Sequence, residues 1–309
     1  MEAAEATQPV RTLEAMPSLL PLYGRAGLGA VPGSGLLGRL PLVPGGPRAD
    51  ALPVERLAID GVVPDRDAVA RYSRVCGFAV RDALPATYPH VLSFPLQMEL
   101  MTSSAFPFPL LGLVHLDDEI TVRRPVEAGA PLDLEVWATD LRPHRKGTAF
   151  SLLVEARAGG ELVWSERGTI LQRGAGDGAA GEEPGPAPLD AAVPASAEWR
   201  LGGDLGRRYA AVSGDRNPIH LHALTARAFG FSRPIAHGMW SLARCLAQLG
   251  SRAPDSFTLT AAFRKPVLLP GRVRFAAGPG ADGATLFALR GAAPVDPPVH
   301  LVGELSPPG

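Results

Sequence analysis

Cysteine is scarce in this chain: Cys76 and Cys245 are the only two in 309 residues. So few exclude a disulfide scaffold, and both fall in apolar patterns, as buried free thiols do in a reducing compartment. Net charge is nearly absent too, at −1. With no cluster of Lys and Arg, neither nucleic acid nor an anionic membrane finds an attractive face. No apolar run approaches the roughly 20 residues that cross a bilayer, so no membrane span is expected. The opening Met1-Glu2-Ala3-Ala4-Glu5 carries acid where a secretory signal needs base, and a cytoplasmic protein is expected. His220 and His222 alternate as a metal pair does, but no acidic or cysteine cluster accompanies them. Neither a metal nor a cofactor is expected.

What is present is ordinary for a globular protein: 46% hydrophobic and 20% charged residues, with 35 Gly and 32 Pro marking many turns. The length leaves room for two modest units.

The chemistry concentrates in Tyr209-Ala210-Ala211-Val212-Ser213-Gly214-Asp215-Arg216-Asn217-Pro218-Ile219-His220. Gly214, Asn217 and Pro218 make residues 214–219 a rigid bend, which lets the Asp215 carboxylate and the His220 imidazole converge on one point. Downstream, Ile235-Ala236-His237-Gly238-Met239 leads into Met239, Leu242, Ala243, Leu246 and Leu249 at helical spacing. Gly238 therefore opens a helix, where free amides suit an oxygen gaining negative charge. The plain alternative is that Ser213, Asp215 and Asn217 only cap turns, as such residues do in loops. His220 followed by His237-Gly238-Met239 favours catalysis. His222 and His237 are read as structural, one flanking the loop and the other orienting the turn into the helix.

Together these segments resemble the MaoC-like, or hydratase-2, dehydratases: an aromatic residue, Ser-Gly-Asp-x-Asn-Pro-Ile-His without a gap, then His-Gly-Met. The resemblance implies an α+β double hot-dog, two units in one chain, each an antiparallel sheet wrapped on a central helix. It implies reversible dehydration of (3R)-3-hydroxyacyl thioesters to trans-2-enoyl thioesters, with acyl-CoA or an acyl carrier protein thioester as substrate. By the same carry-over Asp215 and His220 are the catalytic pair and the Gly238 amide the oxyanion donor. Ser213, Gly214, Asn217, Pro218 and His237 support the loop. A non-catalytic acyl-thioester binder and a thioesterase are the alternatives, and a homodimer is possible for such a chain.

Taken in order, residues 1–54 hold Gly/Pro-rich runs at 31–38 and 41–47 that interrupt any period, giving a loosely ordered arm or one lying over the folded part. Residues 55–173 form a degenerate hot-dog, 174–197 a linker rich in Gly, Ala, Pro and acid, and 198–309 the catalytic unit. The duplication leaves echoes: Arg71–Phe78 parallels Arg208–Asp215, and Arg123-Arg124-Pro125-Val126 parallels Arg264-Lys265-Pro266-Val267, at offsets of 137 and 141. Phe78 stands where Asp215 does, so the first half is expected to hold no polar site. Its Tyr88–Pro95 stretch, with Leu96, Met98, Leu100 and Met101, fills a core or lines an acyl tunnel. Phe106-Pro107-Phe108-Pro109 forms a loop over it. Strands are expected over 119–124, 132–139, 149–156 and 161–172, then over 257–265, 272–277, 284–290 and 300–304. Arg264 and Lys265 are candidates to meet phosphates of the carrier arm.

Overall fold

Alternation of side chains sets the strands. In Leu132–His144, for example, Leu132, Leu134, Val136 and Ala138 fall on one face, and all four are buried. The computed structural model describes residues 8–28, 51–110, 112–174, 185–293 and 295–308. In chain order its elements are β1 (Val10–Thr12), α1 (Leu19–Leu28), β2 (Arg56–Val62), α2 (Arg66–Cys76), α3 (Tyr88–Met101), β3 (Leu113–Val122), β4 (Leu132–His144), β5 (Gly147–Ala158) and β6 (Glu161–Arg173). They continue with β7 (Ala197–Leu201), α4 (Leu205–Ser213), a 3-10 turn at Pro218–His220, α5 (Ala223–Ala228), α6 (Gly238–Leu249), β8 (Phe257–Phe263), β9 (Gly271–Pro279), β10 (Thr285–Gly291) and β11 (Val299–Ser306).

The strands join in one sheet, ordered β1-β2-β4-β5-β6-β3-β8-β11-β10-β9-β7. Its seam is the antiparallel β3–β8 pair, from Asp117 opposite Ala262 to Val122 opposite Phe257. Outward from that seam one side runs β3, β6, β5, β4, β2 and the other β8, β11, β10, β9, β7. The same succession of roles is thus met in both directions, as the double hot-dog implies. Helix α3 packs on β4 and β5, and α6 on β10.

The first sequence echo falls on two equivalent helices. Both α2 and α4 end on a left-handed glycine, Gly77 at φ 83° and Gly214 at φ 78°, whose amides bond back to Ser73 and Ala210. The echoed tyrosines, Tyr72 and Tyr209, are both buried and meet with ring centroids 6.1 Å apart. One continuous core runs through both halves. Cys76 and Cys245 are buried and free.

The Gly/Pro-rich runs at 31–38 and 41–47 lie outside the described residues, as does 175–184 of the linker. Residues 8–28 include two regular elements, β1 pairing in parallel with β2 and α1 packing on α3. The linker's last part lies on the second half, where Arg290 donates to the carbonyls of Leu189, Asp190 and Ala191. Leu189 covers Ala262, Ala276, Ala288 and Val302 there. Among the described residues no helix is long and apolar enough to cross a membrane.

Candidate active site

The loop after α4 is built by its own side chains. Ser213 Oγ accepts from the Asp215 amide at 3.2 Å, Asp215 Oδ1 from the Asn217 amide at 3.0 Å, and Asn217 Oδ1 from the Ile219 amide at 3.4 Å. Three short polar residues thus carry the chain from the Gly214 turn into the Pro218–His220 turn. Thr225 Oγ1 donates to the Pro218 carbonyl at 2.6 Å and ties that turn to α5.

His220 is buried, and its Nδ1 donates to the Ile235 carbonyl at 2.8 Å. A carbonyl only accepts, so the neutral ring carries its lone pair on Nε2. Asp215, His220 and His237 offer donor atoms that all lie within 4.8 Å of one another, and the His220 and His237 rings stack with centroids 3.7 Å apart. His237 Nε2 donates to the Asp215 backbone carbonyl at 3.1 Å and lies 3.7 Å from the Asp215 carboxylate. These bonds occupy Nδ1 of His220 and Nε2 of His237, while Nδ1 of His237 has no hydrogen-bond partner among the described residues. His222 is exposed at the start of α5, apart from this cluster.

The protonation states follow from burial and charge. Burial pulls the His220 pKa down against the opposing charge of Asp215. His237 is pushed down to about 3, first by burial and then by His220. Burial alone would raise Asp215, but the positive charge available on His237 and His220, with the Asn217 amide, holds it below the usual carboxylate range. At neutral pH the cluster is one carboxylate beside two neutral imidazoles. His237 is 2% exposed while the Asp215 side chain keeps 30%, so the carboxylate is the reachable member.

It reaches into a cavity of about 340 Å³ bordered by both halves of the chain. The second half supplies Asp215, His220 and Gly238, the first residue of α6. The Phe263 ring lies against Gly238, where an added Cβ would come within 3.1 Å of it. The first half supplies apolar wall, including Phe94, Met98, Met101 and Val154. Of the apolar stretch on α3, Met98 and Met101 border the cavity while Leu96 and Leu100 belong to the core. The Phe106–Pro109 segment is neither helix nor strand, and Phe106 and Phe108 pack on Phe150.

Three features differ from the sequence expectation. His237 does more than orient a turn, since it stacks on His220 and holds the Asp215 backbone. The first half does keep polar groups on the cavity: His90 on α3 pairs with Glu166 on β6, Nδ1 to Oε1 at 2.8 Å. Its aspartate was lost, but acids on inward strand positions were not; Glu166 on the Trp164 face of β6 is the signal that could have revealed them. Finally, Tyr23 of α1 borders the cavity and bridges the loop on either side of Asp215. Its hydroxyl accepts from the Arg216 amide at 2.6 Å and donates to the Gly214 carbonyl at 2.9 Å. Each bond is worth about 1 kcal/mol, so losing both in Tyr23→Phe is expected to lower kcat by up to about 30-fold, with KM little changed. Steady-state kinetics check this, and an unchanged kcat would remove Tyr23 from the machinery.

The family pattern described as MaoC like domain matches residues 188–279. The chain is 36% identical over 253 residues to 3-hydroxyacyl-thioester dehydratase X of Mycobacterium tuberculosis, covering 82% of this chain and 89% of that protein. The crystal structure of HtdX from the same organism matches with a TM-score of 0.72 at 32% identity, over 82% of this chain and 99% of that one. A further Mycobacterium tuberculosis protein, whose structure is a double hotdog, matches with a TM-score of 0.56 at 14% identity over 85% of this chain and 98% of that one. That last likeness bears on the fold alone.

Proposed function

We infer the reaction from one premise: the chain belongs to the MaoC-like dehydratase family. It is a hydro-lyase of acyl thioesters, interconverting 3-hydroxyacyl and enoyl forms by loss or addition of water. We assign the (3R) and trans configurations, and the catalytic roles, to the site described above. The observation that carries the assignment is the approach of the Asp215 carboxylate and the His220 imidazole at a cavity that Gly238 also borders.

In the hydration direction one water hydrogen-bonds to both Asp215 and His220 Nε2. Its oxygen bonds to C3 of the enoyl thioester while a water proton passes to the pair, with His220 the more natural carrier at neutral pH. Electron density moves onto the thioester oxygen, which the Gly238 amide stabilises with the positive end of α6. The carried proton then goes to C2, and the pair ends as it began. Dehydration is the reverse.

The two halves divide this work. Residues 198–309 carry the chemistry, 55–173 receive the acyl chain along Met98, Met101 and Val154, 174–197 link them, and 1–54 include the helix that pins the loop. Lys146, Arg173, Arg264 and Lys265 border the cavity and suit the phosphates of a coenzyme A arm. An acyl carrier protein presents the same arm, and comparing CoA with carrier-bound substrate separates the two.

The test is hydration of trans-2-enoyl-CoA substrates of short, medium and long chain, followed across pH. Turnover without release of free thiol is expected, since thiol release would mean a thioesterase and binding without turnover a non-catalytic binder. His220 must offer a lone pair, and its pKa lies below the ordinary 6.5. The acid limb of kcat/KM is therefore expected with its midpoint below pH 6.5. A limb at or above 6.5 rejects buried His220 as the acceptor.

A further inference from the structure

The degenerate half does not wall its side of the cavity with hydrocarbon alone. His90 borders the cavity with its side chain 15% exposed, and Nδ1 donates to both oxygens of Glu166, at 2.8 and 3.0 Å. Glu166 is 3% exposed. It faces Asp118 of β3, itself 2% exposed. Burial, then the charge of Glu166, keeps the Asp118 proton on well above the usual carboxylate range.

Burial opposes charging His90, but the charge and hydrogen bond of Glu166, with a smaller contribution from Asp215, leave its pKa raised. The titratable groups around it are Glu166 from β6, His115, Asp117 and Asp118 from β3, and Asp215 from the loop; His115 is pushed down to about 4, chiefly by burial. Two buried acids behind one histidine cost stability unless they serve something. What they do locally is clear: a carboxylate on Nδ1 fixes the orientation of the ring and turns the Nε2 edge outward. Nε2 has no hydrogen-bond partner among the described residues, and the ring lies beside Phe94 on the wall assigned to the acyl chain. When the ring is charged Nε2 carries a proton as well as Nδ1, and a plain alkyl chain passing that N–H would strip its water and return no bond. A chain bearing an oxygen at that level would return one.

We propose that His90, held against Glu166 as the imidazolium, is a polar subsite of the acyl pocket that donates Nε2–H to an oxygen on the substrate chain. The preferred substrates are then acyl thioesters carrying a keto, hydroxyl or carboxylate oxygen beyond C3. This rests on the acyl-thioester reading above. The test needs no turnover: calorimetric titration of the full chain at pH 6, below the ordinary imidazole value of 6.5 from which Glu166 raises His90, with saturated acyl-CoA thioesters of one length, either plain or with a keto oxygen at successive carbons beyond C3. Wild type is expected to bind one oxygenated isomer at least about tenfold tighter than the plain chain. That ratio collapses toward one in His90→Leu, is partly kept in His90→Gln, which retains a donor, and falls in Glu166→Gln, which keeps the bulk but loses the charge. No favoured position in wild type, or the same ratio in His90→Leu, overturns the subsite and leaves the dehydratase reading standing. If no thioester binds at all, the acyl-pocket reading fails and the subsite with it.

Discussion

Asp215→Asn is expected to lower kcat/KM for hydration of trans-2-enoyl-CoA by about 10³-fold, within the range that a positioned acid–base group supplies, while the fold survives. Asparagine has the same shape and keeps an oxygen for the Asn217 amide, now 3.0 Å from Asp215 Oδ1. The backbone carbonyl that receives His237 Nε2 is untouched. What disappears is the negative charge and the basic oxygen that would hold the water beside His220. A second consequence follows from electrostatics. The charge of Asp215 opposes the burial that lowers the His220 and His237 pKa values, so in the variant both imidazoles become harder to protonate. Any residual activity should show its acid limb at lower pH than wild type.

The stability of the same variant has a sign that can be worked out. The folded-state pKa of Asp215 lies below its ordinary value. Its ionised form therefore contributes stability that is present above about pH 3.9 and lost as pH falls through the folded pKa. Asp215→Asn removes that contribution, so the variant and wild type should differ most near neutral pH and converge in acid. Melting temperatures at pH 7 and pH 3 measure this. Activity above roughly a tenth of wild type in the folded variant would sink the assignment of Asp215 as a proton-handling group.

The loop was legible in the sequence because everything that shapes it is local. Ser213, Asp215 and Asn217 each cap the amide two residues ahead, and Gly214 and Pro218 restrict the backbone on either side. The long strands were legible in part: Leu132, Leu134, Val136 and Ala138 mark the first part of β4, while its last residues, up to His144, lose the alternation. Short strands near the sheet edges were not. β7 has five residues, with Glu198 and Arg200 between Ala197, Trp199 and Leu201, too brief a pattern to separate from a polar turn. Nor could sequence bring α1 onto the loop, because Tyr23 and Gly214 are 191 positions apart and no neighbour of Tyr23 along the chain ties its hydroxyl to that bend. His90 and Glu166 stand 76 positions apart and meet only when β6 is laid beside α3. The echo between the halves was informative about the aspartate that the first half lost. It was silent about the acids that half retained, because those lie on strands the echo does not cover.

Gly206 gives the second large effect, and its sign separates two views of a glycine in a helix. It is the second residue of α4. On propensity alone Gly206→Ala should stabilise the helix by roughly 0.5–1 kcal/mol. The structure reverses this: a Cβ at Gly206 would lie 1.9 Å from the His220 carbonyl oxygen, 2.9 Å from its carbonyl carbon and 3.4 Å from its Cβ. The two nearest of these atoms belong to backbone and cannot swing aside, so α4 must part from the Pro218–His220 turn by more than about an ångström. That turn also carries the His220 ring, which Nδ1 anchors to the Ile235 carbonyl. Moving the carbonyl either breaks this anchor or shifts Nε2 away from Asp215. A displacement of about 1 Å in a positioned group costs on the order of 10²-fold in rate, and overpacking costs about 1–3 kcal/mol. Gly206→Ala is thus expected to lower kcat at least about 100-fold and to lower the melting temperature, with the activity loss persisting at temperatures where the variant is fully folded. An alanine variant that is more stable and fully active would mean that the contact between α4 and the His220 turn does not set the catalytic geometry.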